Sequence, residues 1–415
     1  MIQRDVDVAV VGGGAAGLAA AIRARREGVE KVLILERGEE LGGVLHQCIH
    51  TGFGLHYFKE NLTGPEYVSR FINIVHELGI EYKVDTMVLK VSSEKRITAI
   101  NSVDGLMSIS AKSIVFAVGC RERTRGSLSI PGTRPAGIFT AGTAQRLMEI
   151  EGSMPGRRLM ILGSGDVGLI MARRFVMEGA KVEAVLEIMP YPGGLSRNIV
   201  QCLDDFNIPL LLGYTVTLIH GKDRLEGVTV AKIDRYRRLM PGTEKFIGCD
   251  TLILSVGLIP ENELTKDMGV VLDPLIGGPM VNERMETSIE GVFACGNVVH
   301  VHDLVDHVTE AGETAGRSAA RYVLGALPPF RRRLLVKPGA NVRYVVPQII
   351  SGKESVSLFF RVKRPARYVT VKAGDEVSEF RQIVRPPELA SINLPGGIHG
   401  KDGRIVVSVR RRSKS

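Results

Sequence analysis

The chain has 415 residues, 44% of them hydrophobic, and a formal net charge of +9. That length exceeds what a single hydrophobic core usually spans, so two or three domains are expected. Five scattered cysteines with no CxxC pair exclude a disulfide framework and point to a reducing cytoplasm. No Cys/His spacing suits zinc, no apolar run approaches the roughly 20 residues of a membrane helix, and no leader-like segment precedes the first strand, so neither metal, membrane nor secretion is expected.

Residues 8–11 form an apolar strand that runs into Gly12-Gly13-Gly14-Ala15-Ala16-Gly17, a helix over 18–26 and a second strand over 32–35 ending on Glu36. Strand, glycine turn, helix, strand and acid together are the setting in which GxGxxG holds a dinucleotide. Gly12 makes the tight turn, Gly14 leaves room for a pyrophosphate and Gly17 lets the helix pack on the strand. The helix aims its N–H groups and positive end at the phosphates, which places Ala15 and Ala16 in the binding set. Glu36, 24 residues after Gly12, can accept hydrogen bonds from a ribose, with Arg37 beside it.

Residues 42–55 are expected to be a glycine-rich loop entering a helix close to the cofactor, with Gly43 in the binding set. The loop carries Cys48 between His46 and His50, a thiol that an imidazole and a helix N-terminus could activate; the rival reading is inert packing. Val68, Phe71, Ile72, Val75 and Leu78 predict a buried amphipathic helix over 65–78. Short strands fill 80–118 and end before Gly119, another expected cofactor contact. The Gly- and Pro-rich stretch 126–142 reads as a connection between domains.

Beyond it the opening pattern recurs. Residues 159–162 enter Gly163-Ser164-Gly165-Asp166-Val167-Gly168, a helix covers 169–178, and the strand 182–186 ends on Glu187, again 24 residues after the first glycine. Two such units at one spacing imply two nucleotides, or two halves of related sites. Strands are expected near 210–218 and 225–235, and an apolar run over 252–257 ends on Gly257, also placed in the binding set. Residues 287–297 form a strand closing on Cys295-Gly296-Asn297, in which Cys295 is a small buried residue. His300, His302 and His307 follow closely and could tune a ring or relay a proton. Gly312, Ala315, Gly316, Ala319 and Ala320 mark a helix over 311–324 able to pack against a backbone or a flat ring.

From Pro328 the chain turns into short Val-, Tyr- and Phe-rich segments at 342–346, 356–362, 368–371 and 405–409, a small all-β module whose end at 410–415 is expected to fray. Residues 331–415 carry the basicity, with 19 Lys and Arg against 6 Asp and Glu. Without aromatic–basic interleaving or an RNA-type motif, that favours a solvated face or a protein partner over nucleic acid.

The order of first GxGxxG with Glu36, second GxGxxG with Glu187, and residues 292–297 resembles the two-dinucleotide flavoproteins that include the pyridine nucleotide-disulfide oxidoreductases. The likeness covers residues 5–325. It implies FAD in the first site, NAD(P)H in an inserted second domain, and the late turn Gly296-Asn297, with His302, returning to the flavin; Asn297 stands where that family usually has Asp. The dithiol is missing: Leu45 and His50 occupy the cysteine positions of one branch, and 137–145 lacks the CxxC of another. The stretches 45–54 and 139–147 look more like FAD-binding subunits of multisubunit dehydrogenases, such as the opine, sarcosine and hydrogen cyanide-forming enzymes and flavoproteins linked to glycerol-3-phosphate dehydrogenase.

The expected architecture is α/β, with two Rossmann-like dinucleotide-binding domains: an FAD domain (1–125 and 280–327) with an inserted NAD(H) domain (126–279), followed by the basic β module (328–415). The expected function is an FAD-dependent oxidoreductase that takes hydride from NADH and passes electrons to a partner protein within an oligomer or hetero-complex. Glu187 favours NADH over NADPH, because a carboxylate welcomes a 2′-hydroxyl and repels a 2′-phosphate. The alternatives are the FAD subunit of an amine or small-hydroxy-substrate dehydrogenase and a non-catalytic nucleotide-binding scaffold.

Overall fold

A computed structural model describes residues 2–331 and 333–411, so the frayed end expected at 410–415 and Arg332 of the basic triplet lie partly or wholly outside the described residues. The chain forms two compact units, Met1–Cys120 with Pro260–Ser415, and Arg121–Ile259.

In the first unit the opening strand Ile2–Val11 lies between Val32–Leu35 and Gly105–Phe116, parallel to both. Glu81–Lys83 extends the sheet on one side and Arg96–Asn101 with Met87–Val91 on the other, while Val292–Ala294 returns late in the chain to pair with Gly105–Phe116. The central stretches 8–11, 32–35 and 114–116 are unbroken apolar runs because both faces are covered. On one face the helix Ala15–Arg26 crosses the helix Val305–Val323. A Cβ on Gly312 or Gly316 would lie 2.3 Å from the Ala16 carbonyl oxygen or 2.1 Å from that of Ala20, so the small residues serve contact with a helix backbone. This helix starts six residues before the expected 311, since Val305 and Val308 also pack on the core.

The helix Gly64–Glu77 carries a capping box between Thr63 and Glu66 and a proline in its first turn. Residues 42–55 do not lead straight into it. A short 3₁₀ turn, Gly43–Gln47, is followed by a ribbon of Thr51–Phe53 with Leu62–Thr63, and positive φ at Gly52 (120°) and Gly54 (83°) breaks any helix there.

The second unit is built on a parallel sheet ordered Ile138–Thr140, Thr251–Leu254, Arg158–Leu162, Lys181–Glu187, Leu210–Leu212. An antiparallel sheet, Tyr214–Gly221, Leu225–Lys232 and Lys245–Gly248, accompanies it. The stretch 126–142 is not a free connection. It lies inside this unit and contributes the edge strand Ile138–Thr140. Its glycines are needed for close approach: a Cβ on Gly132 would sit 2.2 Å from the Ile219 carbonyl oxygen, and one on Gly137 2.5 Å from that of Asp250.

The C-terminal strands form two sheets around a core of their own. Leu334–Pro338, Arg404–Arg411, Ala366–Ala373 and Val377–Val384 belong to one, and Val342–Val346, Val356–Val362 and Ala390–Leu394 to the other. This region packs as part of the first unit: Tyr344 and Val346 share a core with Val281 and Val292, and Gln348 bonds the Val281 N–H at 3.1 Å and Asp273 at 3.0 Å. Residues 260–279 also belong there, not with the inserted unit, because Met268 and Val270 are buried in that same core. Among the described residues no helix is long and apolar enough to cross a membrane.

Candidate functional site

The first glycine turn leaves the buried strand Ile2–Val11 and starts the helix Ala15–Arg26. Gly12 has φ of 103°, and a Cβ there would lie 2.5 Å from the Ala117 carbonyl oxygen; a Cβ on Gly17 would lie 1.8 Å from the Gly12 carbonyl oxygen. A Cβ on Gly14 would instead meet nothing within 4 Å, nor would one on Gly119. The helix cap is Gly14, with no side chain bonded to the first turn and no acid in it, so the N–H groups of Ala15, Ala16 and Gly17 form a bare, positive helix end.

Glu36 is buried at the end of its strand. Its carboxylate accepts the Gly13 N–H at 2.6 Å and the Gly38 N–H at 2.7 Å, which clamps acid to turn, while Arg37 is exposed. Gly43 lies against Gly14 through the loop that follows, and the Gly42 N–H bonds the Gly13 carbonyl at 2.8 Å.

The second turn repeats this geometry within its own unit. Gly163 has φ of 95° and a Cβ there would lie 2.1 Å from the Ser255 carbonyl oxygen; Gly165 and Gly168 press on Ser255 as well. Glu187 is buried and accepts the Ser164 N–H at 3.1 Å, the Ser164 hydroxyl at 2.6 Å and the Met189 N–H at 2.8 Å. One difference is Asp166 in the first helical turn, where a carboxylate opposes a phosphate; it accepts the Leu195 N–H at 2.8 Å and the Asn198 amide at 2.6 Å. Val167 sits beside it with its side chain partly exposed, and a Cβ on Gly257, whose φ is 102°, would meet only the Arg123 side chain, at 4.0 Å.

The repeat extends further than expected. Gly42 follows Gly12, and Gly193 follows Gly163, at one identical spacing. Each folds back on its turn, and the Gly193 N–H bonds the Ser164 hydroxyl at 2.7 Å. The sequence alone held this signal.

The three residues of the expected thiol site each engage a backbone carbonyl. His46 Nε2 lies 2.6 Å from the Leu41 oxygen, the Cys48 thiol donates to Val44 at 3.4 Å, and His50 Nδ1 lies 3.1 Å from the Thr51 oxygen. His46 is folded over Gly42, where a Cβ would strike its ring at 2.2 Å. Burial pushes the Cys295 thiol up to about 12, which makes it inert packing.

The late turn Gly296–Val298 gathers a cluster that the sequence only hinted at. Asn297 Oδ1 accepts the His302 backbone N–H at 3.0 Å, which fixes the amide orientation, and His302 Nδ1 lies 3.2 Å from the same oxygen. His300 packs against His302 with ring centroids 4.0 Å apart and planes tilted by 41°. Tyr344 and Phe359 of the C-terminal strands cover His300 at 6.0 and 6.3 Å, and Phe359 reaches His307 at 5.5 Å. Arg361 ties the cover down: it pairs with Asp303, donates to Tyr344 Oη at 3.1 Å and to the Val301 carbonyl at 3.2 Å, and bonds the Pro387 carbonyl. No sequence pattern could have joined Arg361 to Asp303.

Burial holds His300 well below the usual histidine range, with His302, Arg361 and His307 adding to the effect, and His302 is lowered by the same kind of causes. Two buried polar atoms here, His300 Nδ1 and Asp306 Oδ2, have no partner among the described residues; the other Asp306 oxygen accepts the Tyr57 N–H at 3.0 Å. An open cradle at Gly14 and Gly119, a bare helix end and orphaned polar atoms at the late turn are what a bound dinucleotide with a polar ring system would use, so the residues present fit FAD.

Comparison with known proteins agrees with this geometry. The chain is similar to the CoA-dependent NAD(P)H sulfur oxidoreductase of Pyrococcus abyssi, 27% identical over 357 residues that cover 84% of this chain and 70% of that protein. It is similar to a hydrogen cyanide synthase subunit of Pseudomonas protegens, 25% identical over 283 residues, which span 63% of this chain and only 58% of that subunit. Among solved structures, thioredoxin reductase of T. acidophilum superposes with a TM-score of 0.63 and 26% identity, covering 78% of this chain and 99% of the other. The profile of one family matches residues 6–315. The chain belongs to the pyridine nucleotide-disulphide oxidoreductase family, whose members are FAD-dependent NAD(P)H oxidoreductases.

Proposed function

We propose that the chain takes hydride from NADH onto FAD and passes the electrons to a partner protein or associated subunit, without an active-site disulfide. The observation that carries this reading is the duplicated turn: Glu36 and Glu187 are each buried at a strand end and each bonded to the backbone of their own glycine turn. Residues 1–120 and 260–327 hold FAD in this reading, and residues 121–259 hold NADH. The flavin, when bound, accepts a hydride and releases electrons singly or in pairs.

The chain's own groups bind and orient. The N–H groups of Ala15, Ala16 and Gly17 meet the FAD phosphates, Gly14 and Gly119 leave them room, and Glu36 takes the ribose hydroxyls. Gly296, Asn297 and His302 border the flavin. At the second turn Gly163, Gly165, Val167 and Gly168 receive the nicotinamide dinucleotide, with the Asp166 carboxylate engaged by the Leu195 N–H and the Asn198 amide. Glu187 there favours a free 2′-hydroxyl, hence NADH. Neither expected cysteine pair is present in the sequence, which supports electrons leaving the chain. A hydrogen cyanide synthase subunit among the relatives supports a partner chain as the recipient.

Anaerobic titration of the purified protein with NADH and with NADPH, following the flavin absorbance, tests the reading. Bleaching by NADH at lower concentration than by NADPH is expected. Bound flavin that neither nucleotide bleaches would sink the nicotinamide half, and the same relative then favours a second reading: the flavin subunit of an amine or small-hydroxy-substrate dehydrogenase, recognisable by copurification with a substrate-oxidising subunit.

A further inference from the structure

We propose that His300 and His302, roofed by Tyr344, Phe359 and Arg361, form an internal proton site that takes up one proton when the flavin bound beside the late turn is reduced. This rests on the placement of FAD in the first site.

The geometry has three parts. The two rings lie with centroids 4.0 Å apart and planes tilted by 41°, one of them almost wholly buried (2% exposed), with a nitrogen that no described residue satisfies. An unsatisfied buried imidazole nitrogen carries a desolvation cost that a hydrogen-bond partner relieves, whereas a proton is held there only if a nearby negative charge offsets it. The groups facing the pair leave it uncompensated. Asp303 is spent on Arg361 and on the Leu389 N–H at 2.5 Å, and Asn297 and Tyr344 are neutral. His307 lies between Phe359 and His56, on the helix whose buried Asp306 is bonded to the Tyr57 N–H. Burial above all keeps both rings neutral, with His307 and the Arg361 guanidinium, itself paired with Asp303, adding to the effect.

A new negative charge nearby reverses that balance. Hydride transfer moves two electrons and one proton from the dihydronicotinamide to the flavin, leaving an oxidised nicotinamide and an anionic reduced ring. In a site of low polarity that anion attracts a proton from solvent onto the imidazole pair, so the overall step consumes one further proton and the cation offsets the anion. The C-terminal strands then serve the redox site directly by excluding water from the pair.

The test is proton uptake per flavin during anaerobic reduction by dithionite in weakly buffered, dye-containing solution, together with the pH dependence of the flavin midpoint potential. The wild-type protein is expected to take up one proton more per flavin than H300Q or H302Q, and to show the steeper potential–pH slope. Equal uptake and equal slopes overturn the proposal. Should the variants not fold, histidine NMR of the wild type decides: an imidazole resonance that moves to its charged position on reduction at neutral pH supports the site, and unchanged resonances overturn it. Dithionite bypasses nicotinamide, so failure of NADH to reduce the flavin leaves this test intact, whereas a protein that binds no flavin overturns both readings.

Discussion

Glu36 shows how much one side chain carries. It bonds the backbone at Gly13 at 2.6 Å and at Gly38 at 2.7 Å, and in the proposed function it takes the ribose hydroxyls of FAD. Charge-assisted bonds of this kind are worth about 1.5–3 kcal/mol each, so Glu36→Ala is expected to weaken FAD binding roughly 10- to 100-fold, measured by fluorescence titration of the apoprotein. An unchanged dissociation constant would remove Glu36 from the site. His300 supplies a pH dependence. Burial lowers its proton affinity below that of the unfolded chain, so the unfolded state binds more protons once the pH drops below about 6.5. Its stabilising contribution is therefore present above that value and is lost on acidification, by about 1.4 kcal/mol per pH unit. Melting temperatures of the flavin-free protein between pH 7.5 and 5 should fall, and H300Q should flatten the fall.

At the scale of elements, the crossing of Ala15–Arg26 with Val305–Val323 couples packing to binding. The helix that presents the bare N–H groups is held by glycines that admit no Cβ, with Gly316 facing the Ala20 carbonyl at 2.1 Å. Gly316→Val forces the helices apart. The overpacking is expected to cost about 1–3 kcal/mol and to reduce flavin retention at the same time, checked by thermal melting and by the flavin-to-protein absorbance ratio. A variant that melts early yet keeps its flavin would separate the two. The sequence marked the small residues, but the alternatives of backbone or flat ring stayed open because spacing does not say what lies opposite. The stretch 126–142 shows the opposite error: its glycines look like flexibility, and their close approach to Ile219 and Asp250 exists only once the strands are assembled.

For the whole molecule, the C-terminal region is part of the first unit, fastened at the histidine cluster by one ion pair that is largely buried on both sides, Arg361–Asp303. Removing one member leaves the other charge uncompensated, so Arg361→Ala is expected to cost about 3–5 kcal/mol. Thermal unfolding checks the loss. Asp303→Asn combined with it should recover part of the deficit; no recovery would show that Arg361 acts through its bonds to Tyr344 and the backbone.

The sequence by itself determined the two glycine turns, their acids and their order, because those features are local: a turn, a helix start and a strand end lie within one short segment and obey steric rules that residue type reports directly. It also determined the family and the lack of a cysteine pair at either expected position. Only the tertiary structure decided that Asn297 holds His302, that His46 closes over Gly42, that residues 260–279 pack with the first sheet, and that Tyr344, Phe359 and Arg361 roof the histidines. Those contacts join positions far apart in the chain, and burial, which sets the chemistry of His300 and Cys295, is created by the assembled fold.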